Sequence, residues 1–267
     1  MTVAPPHPFD ADTALEPAGA LRWRAWAPEH WFVGRGPNGG YLAAVAARAA
    51  ESASGRPLRS LALHFAAAPA VGPLDVTARL ERAGRSYSAV TIRIAQEEEP
   101  MTLALATLGE LPDDGATWNA APAPAVPPAA DFEAVDPDTP GVPVFMRNYD
   151  MRWAAPGGDA PGSVGWLRTR EPRGLDGPLA AAMTDSWVPA AFAATGRFGY
   201  APTLDLTIHV RRSLPPAGMT AADHVLCRFV SRLAVSGVWE EDGELWTPAG
   251  ELIAQSRQLA LIRDLPS

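Results

Sequence analysis

Hydrophobic positions recur along this chain in two periods, and the order in which those periods follow one another is the same twice. In the first half, a strand-like run at Leu21–Trp26 and an apolar Trp31–Val33 lead into GPNGGYLAAVAARAA, which reads as a helix opening at Asn38–Gly40. Leu58–Phe65, Leu74–Arg82, Ser86–Gln96 and Met101–Leu108 then read as strands. In the second half Val144–Trp153 and Val164–Thr169 read as strands and Leu179–Ala194 as a helix. Pro202–Val210, Val225–Leu233, Gly237–Leu245 and Leu252–Arg263 follow as strands. Between the halves, Pro112–Pro143 carries eight prolines among small and acidic residues, a composition that holds neither a helix nor a central strand. The chain therefore divides into an N-terminal unit over 1–111, a semi-rigid linker over 112–143 and a C-terminal unit over 144–267.

The repeat has a register. SLALHF at Ser60–Phe65 and DLTIHV at Asp205–Val210 superpose at an offset of 145 residues, which also sets Gly40 against Asp185. Repetition of both element order and polar placement implies duplication and fusion. Both helices lack a polar stripe: Tyr41–Ala50 is apolar apart from Arg48, and Leu179–Ala194 apart from Thr184, Asp185 and Ser186. A helix apolar all round is buried on every side, and the only material available to wrap it is its own antiparallel sheet. The expected fold is α+β, a double hot-dog of two tandem repeats, each a sheet curled around a central helix. Strands in meanders rather than alternating with helices argue against a parallel doubly wound sheet.

Composition narrows the partners. A net charge of −8 argues against nucleic acid, and no apolar run is long enough to cross a membrane. Cys227 is the single cysteine, so no internal disulfide forms and a cytoplasmic setting is expected. Metal sites lack a cysteine pair or an HExxH helix, and no Walker or GxGxxG loop is present. Gly162-Ser163-Val164-Gly165 falls short of a nucleophile elbow because Pro161 stands where the first glycine is needed. No cofactor and no metal are expected.

The chemistry then rests on polar residues in apolar settings. Asp185 is a carboxylate in an apolar helix, costly to bury unless partnered, and Pro189 four residues on cannot bond its carbonyl. Asp185 is either a functional acid or the cap of a second, shorter helix at that break. Asn38, Gly39 and Gly40 place bare amides at a helix start, suited to a substrate oxygen or to simple capping. Alternation groups Thr203, Asp205, Thr207 and His209 on one strand face. Gln258 falls in phase with Leu252, Ala254, Ala260 and Ile262, a polar residue on an apolar face that needs partners. His64 and His209 lie on strands, as core or edge imidazoles or, for His64, as a substrate contact.

These residues together resemble the acyl-CoA thioesterase II family. GPNGGYLAA is similar to its Gly-Gly helix start, LRSLALHFAAAP to the strand after that helix, and LERAGRSYSA to its Arg-x-Gly-x-Ser-aromatic-Ser turn. MTDSWVP, APTLDLTIHV and LIAQSRQLALIR resemble its sequence of Asp on a helix, Thr on a strand and Gln on the last strand. The resemblance implies hydrolysis of acyl-CoA thioesters by a water held by Asp185, Thr203 and Gln258, with Thr207 a competing hydroxyl. The bare amides at the helix start suit the developing oxyanion, with the Gly40 amide expected to face it from the other half, and an exposed sheet edge suits pairing of the fused units as homodimers. Two rivals stand beside the thioesterase reading. A hot-dog enoyl-CoA hydratase needs a His base with a nearby acid, for which Asp205 and His209 are the available pair. A non-catalytic acyl-CoA-binding protein needs only the fold.

Overall fold

The computed structural model describes residues 5–112, 115–120, 122–196 and 199–262. The ends of two sequence segments, Met1–Ala4 and Arg263, lie outside them. A short helix α1 (Pro8–Asp12) precedes strands β1 (Glu16–Gly19), β2 (Arg22–Ala27), β3 (Phe32–Val33) and β4 (Gly36–Pro37). Helix α2 (Gly39–Ser54) follows, then β5 (Leu58–Phe65), β6 (Gly72–Ala83), β7 (Tyr87–Gln96) and β8 (Glu99–Gly109). The second half contains β9 (Tyr149–Pro156), β10 (Gly162–Thr169), α3 (Gly177–Met183) and α4 (Ala190–Thr195). It ends with β11 (Thr203–Val210), β12 (Val225–Val230), β13 (Ala234–Val235), β14 (Val238–Trp246) and β15 (Leu252–Leu261).

One antiparallel sheet of 13 strands spans both halves, in the order β1-β2-β6-β7-β8-β5 and then β11-β15-β14-β12-β10-β9, with β13 on β14. Read outward from the centre, each half repeats the other's order. The halves join where β5 pairs with β11, Ala62 opposite Thr207, His64 opposite Asp205 and Ser60 opposite His209. Ala62 and Thr207 are 145 residues apart, so this pair meets its own repeat, the flanking pairs are exchanged about it, and a local twofold passes between them. The expected pair of sheets is thus a single continuous one, curled around two central helices, which is the double hot-dog arrangement. Among the described residues no helix is long and apolar enough to cross a membrane.

Helix α2 begins where the Asn38 side chain accepts the Tyr41 N–H at 3.3 Å. It ends at Gly55, whose left-handed φ of 67° suits a residue without Cβ. Between them Gly40–Ala47, Ala49 and Ala50 are all buried. The predicted second helix is in fact two: α3 stops at Met183, and α4 starts after Pro189. Val144–Asn148, predicted as the start of a strand, is a 3₁₀ turn after Pro143, and the strand begins at Tyr149.

The α2 and α3 starts correct the repeat register. Asn38 and Asp176 each cap their helix by accepting the N–H three residues on, so the helices correspond at 138 residues while the strands correspond at 145. The extra residues lie between α3 and β11, in the broken segment. Gly40 therefore matches Pro178, and Asp185 matches Ala47. The two helices run antiparallel side by side: Gly40 meets Asp185 at one end, and a Cβ on Gly177 would lie 2.4 Å from Glu51 Oε1 at the other.

Arg48, the one basic residue on α2, and Arg173 tie the N-terminal segment to both halves. Their guanidinium groups both bond the Asp10 carboxylate, at 2.5 and 2.7 Å, and both stack on Phe9. The two arginines hold the Asp10 carboxyl below its ordinary pKa. A lowered carboxylate contributes stability above its unfolded pKa and loses it as pH falls. Asp10→Ala is accordingly expected to lower the melting temperature at pH 7 by about 2–4 °C, equivalent to roughly 1 kcal/mol in a chain of this size. Thermal melts at pH 7 and pH 3 check this, since the difference should shrink in acid.

The Pro-rich connection has a long path, because β8 lies beside the seam and β9 at the far edge. It lies against the outer side of the second half, where Ala123, Val126, Ala129 and Phe132 pack on Val164, Trp166, Leu226 and Trp246. Trp166 Nε1 donates to the Pro127 carbonyl at 3.0 Å, and Arg152 to those of Ala129 and Phe132.

Candidate active site

Pro189 has no N–H, so the Asp185 carbonyl cannot be bonded by the residue four positions on. It takes its hydrogen bond from Asn38 Nδ2 instead, at 2.7 Å. The same amide group reaches Asp185 Oδ2 at 3.1 Å, and the Gly40 N–H donates to that oxygen at 2.9 Å. Asp185 thus sits half-buried at the end of α3, fixed through backbone and carboxylate to the start of α2. The glycines make the crossing possible: a Cβ on Gly39 would lie 2.7 Å from Asp185 Oδ2, and one on Gly40 only 2.3 Å from the Ala182 carbonyl. Ser186 donates to the Ala182 carbonyl at 2.7 Å and lies 3.0 Å from the Tyr149 hydroxyl, which holds the turn against β9.

A second cluster lies on the inner face of β14 and β15. Thr203 Oγ1 donates to Gln258 Oε1 at 2.6 Å, and Gln258 Nε2 donates to Glu241 Oε1, also at 2.6 Å. The other Glu241 oxygen accepts the Ala190 N–H, the first of α4, at 2.5 Å. Ser256, two residues before Gln258 on the same face, donates to the Thr184 carbonyl at 3.3 Å. That bond ties β15 to the residue beside Asp185.

Both acids are pushed up. Burial raises the Asp185 carboxyl to about 7 against the pull of the Gly40 amide, the Asn38 side chain and the Gly39 amide. Burial raises Glu241 to about 8, with the Ala190 N–H and Gln258 pulling it down and the Asp185 charge pushing it further up.

The structure sorts the sequence candidates. Asn38, Gly39, Gly40 and Asp185 come together, as do Thr203 and Gln258. The Gly40 N–H, expected to face a substrate oxygen, is donated to Asp185 Oδ2. Asp185 does not cap α4; Pro189 occupies that position and Glu241 supplies the carboxylate. Thr207 and His64 lie elsewhere. A bulge at Leu204 shifts the β11 register so that Thr203 opposes Ala260 while Asp205 opposes Leu259. Thr203 is thereby turned inward with Gln258, and Leu204 outward, 37% exposed. Leu206, Ile208 and Val210 fill the core, so Asp205, Thr207 and His209 face the other way, as does the exposed His64 opposite Asp205. The acid and imidazole that a hydratase would use are on the outside of the sheet.

Glu241 is the residue sequence reasoning missed. The signal was there: on β14 it is in phase with Trp239, Gly243 and Leu245, the same argument that singled out Gln258. It is 3% exposed.

Comparisons with known proteins bear on the family and the fold. Residues 27–109 match the family described as the acyl-CoA thioesterase N-terminal domain, and residues 120–262 match the acyl-CoA thioesterase C-terminal domain. An uncharacterized protein of Mycobacterium tuberculosis is 29% identical over 268 residues, which cover 88% of each chain. A hot dog fold protein of unknown function from Alicyclobacillus acidocaldarius superposes with a TM-score of 0.88 at 26% identity, over 98% of this chain and 100% of that one. An acyl-CoA thioesterase II from Mycobacterium marinum superposes at 0.77 and 21% identity, over 97% and 99% of the two chains, a likeness of fold.

Proposed function

The chain belongs to the acyl-CoA thioesterase family, and we propose that it hydrolyses acyl-CoA thioesters to the free acid and coenzyme A, with Asp185 as the general base. The observation that carries this reading is a carboxylate held at a helix crossing with its pKa raised to about 7. A base with that pKa is about half ionised at neutral pH and basic enough to take a proton from water. Asp185 takes one proton as the water oxygen attacks the thioester carbon. The tetrahedral intermediate then collapses, the C–S bond breaks and coenzyme A leaves as the thiolate, which Asp185 or solvent protonates. Charge on the intermediate's oxygen develops near the positive end of the α2 dipole. Thr203 and Gln258 orient the water.

Neither a cofactor nor a metal enters these steps. A cytoplasmic location, a place in fatty acid metabolism and a homodimer of the fused unit belong to the same proposal. Light scattering reads the last.

The test is thiol release measured over short, medium, long and aromatic acyl-CoAs. Turnover with at least one of them supports the reading, and tight binding with no release at any chain length overturns it in favour of a binding protein. The two hydroxyls separate in the same assay. Thr203→Val is expected to lower kcat by roughly tenfold or more, because the bond to Gln258 is lost. Thr207→Val, on the outer face opposite Ala62 and Arg257, should leave turnover at the parental level.

A further inference from the structure

Gln258 carries an amide whose two ends have nearly the same shape. Thr203 cannot decide which way it lies, since a hydroxyl both donates and accepts. The register of β14 and β15 places Glu241 directly opposite Gln258, and their side chains meet at 2.6 Å on the buried face. The bonds as they stand, Gln258 Nε2 to Glu241 Oε1 and the Ala190 N–H to Oε2, are those of an ionised Glu241 carboxylate, which only accepts. The carboxylate therefore holds the Nε2 end of Gln258 and turns Oε1 toward Thr203. The Ala190 N–H on Oε2 keeps the carboxyl group from rotating.

We propose that Glu241 is a positioning residue for the thioester-hydrolysing site: it fixes the orientation of the Gln258 amide and, through it, that of the Thr203 hydroxyl. This rests on the hydrolase reading above. With Thr203 donating to Gln258 Oε1, the Thr203 oxygen is left with lone pairs only, and Gln258 Nε2 keeps one further N–H. A water between them would accept from Gln258 and donate to Thr203, which leaves its second proton for Asp185. Reversing the amide would set the Gln258 oxygen against Glu241, two acceptors facing each other in a buried site.

Glu241→Gln tests this with almost no change of shape. Its amide nitrogen must face either the Ala190 N–H or the Gln258 N–H, so the Gln258 orientation is no longer enforced. The expected result is a fall in kcat of roughly 10- to 100-fold with KM held within about twofold. The exchange Glu241→Gln with Gln258→Glu separates positioning from folding. It restores a complete set of bonds among Ala190, residue 241, residue 258 and Thr203 while removing the N–H offered to water. The positioning role predicts that the exchange recovers the melting temperature but not kcat, and recovery of both overturns it. A readout independent of activity is the side-chain amide signal of Gln258 in a 1H–15N spectrum, assigned by its absence in Gln258→Ala. It should move in Glu241→Gln, and an unmoved signal with parental kcat overturns the proposal. If the parent releases no thiol from any acyl-CoA, the hydrolase reading fails instead, and the spectrum still decides whether Glu241 orients Gln258.

Discussion

Asp185→Asn is expected to lower thioester turnover by about a thousandfold, within the 10²–10⁴ range for a positioned general base. The asparagine can still accept from Asn38 and Gly40 but cannot take a proton. Thiol release at saturating substrate measures the loss, and turnover equal to the parent's would remove Asp185 from the chemistry. The parent's rate should rise with pH through about 7 and then level, because only the ionised acid acts as a base. Stability should move the opposite way. A carboxyl whose folded pKa lies above its unfolded value stabilises the fold fully below the unfolded pKa, and that contribution is lost as pH climbs to the folded one. The parent should therefore lose melting temperature between about pH 4 and pH 7, and Asp185→Asn should lose less over the same interval. Glu241, also raised, leaves part of the slope in both proteins.

Gly40→Ala is expected to produce the largest loss of stability. The added carbon would lie 2.3 Å from the Ala182 carbonyl oxygen and 2.8 Å from Asn38 Oδ1. The first of these is backbone, so no side-chain rotation relieves the clash and α2 must move away from α3. Overpacking of this kind costs roughly 3 kcal/mol, on the order of 10 °C in melting temperature for a chain of this size. The movement also separates the Gly40 amide from Asp185, so turnover should fall in the protein that remains folded. Calorimetry beside the thiol assay checks both, and a melting temperature within a degree or two of the parent's would contradict the tight crossing.

Much of the architecture was legible because it rests on periodicity. Two helices without a polar stripe demand a wrapping sheet, and the matched SLALHF and DLTIHV strands are the pair that meet at the seam. Asp185 and Gln258 stood out as polar residues in apolar surroundings. What was hidden depends on local breaks in those same patterns. One bulge at Leu204 reverses the phase of β11, which is why strict alternation grouped Thr203 with Thr207 and His209. The extra residues after α3 shift the helices relative to the strands. A single offset therefore made Gly40 the counterpart of Asp185, when it is its contact. The partner of the Gly40 amide could not be read at all, since it depends on the antiparallel crossing of two helices distant in sequence.

That crossing occurs at one end of the helix pair only. At the mirror end the position corresponding to Asp185 is Ala47, and Glu51 accepts the Leu58 N–H at 3.0 Å beside Gly177. A homodimer built from one such unit would carry every substitution in duplicate, so an acid suited to one end would have to be tolerated at both. Joining the two copies in a single polypeptide lifts that requirement and lets one end diverge toward reactivity while the other settles into packing. The stoichiometry follows: a tight-binding inactivator directed at the acid should titrate one equivalent per chain, where an unfused pair would show two.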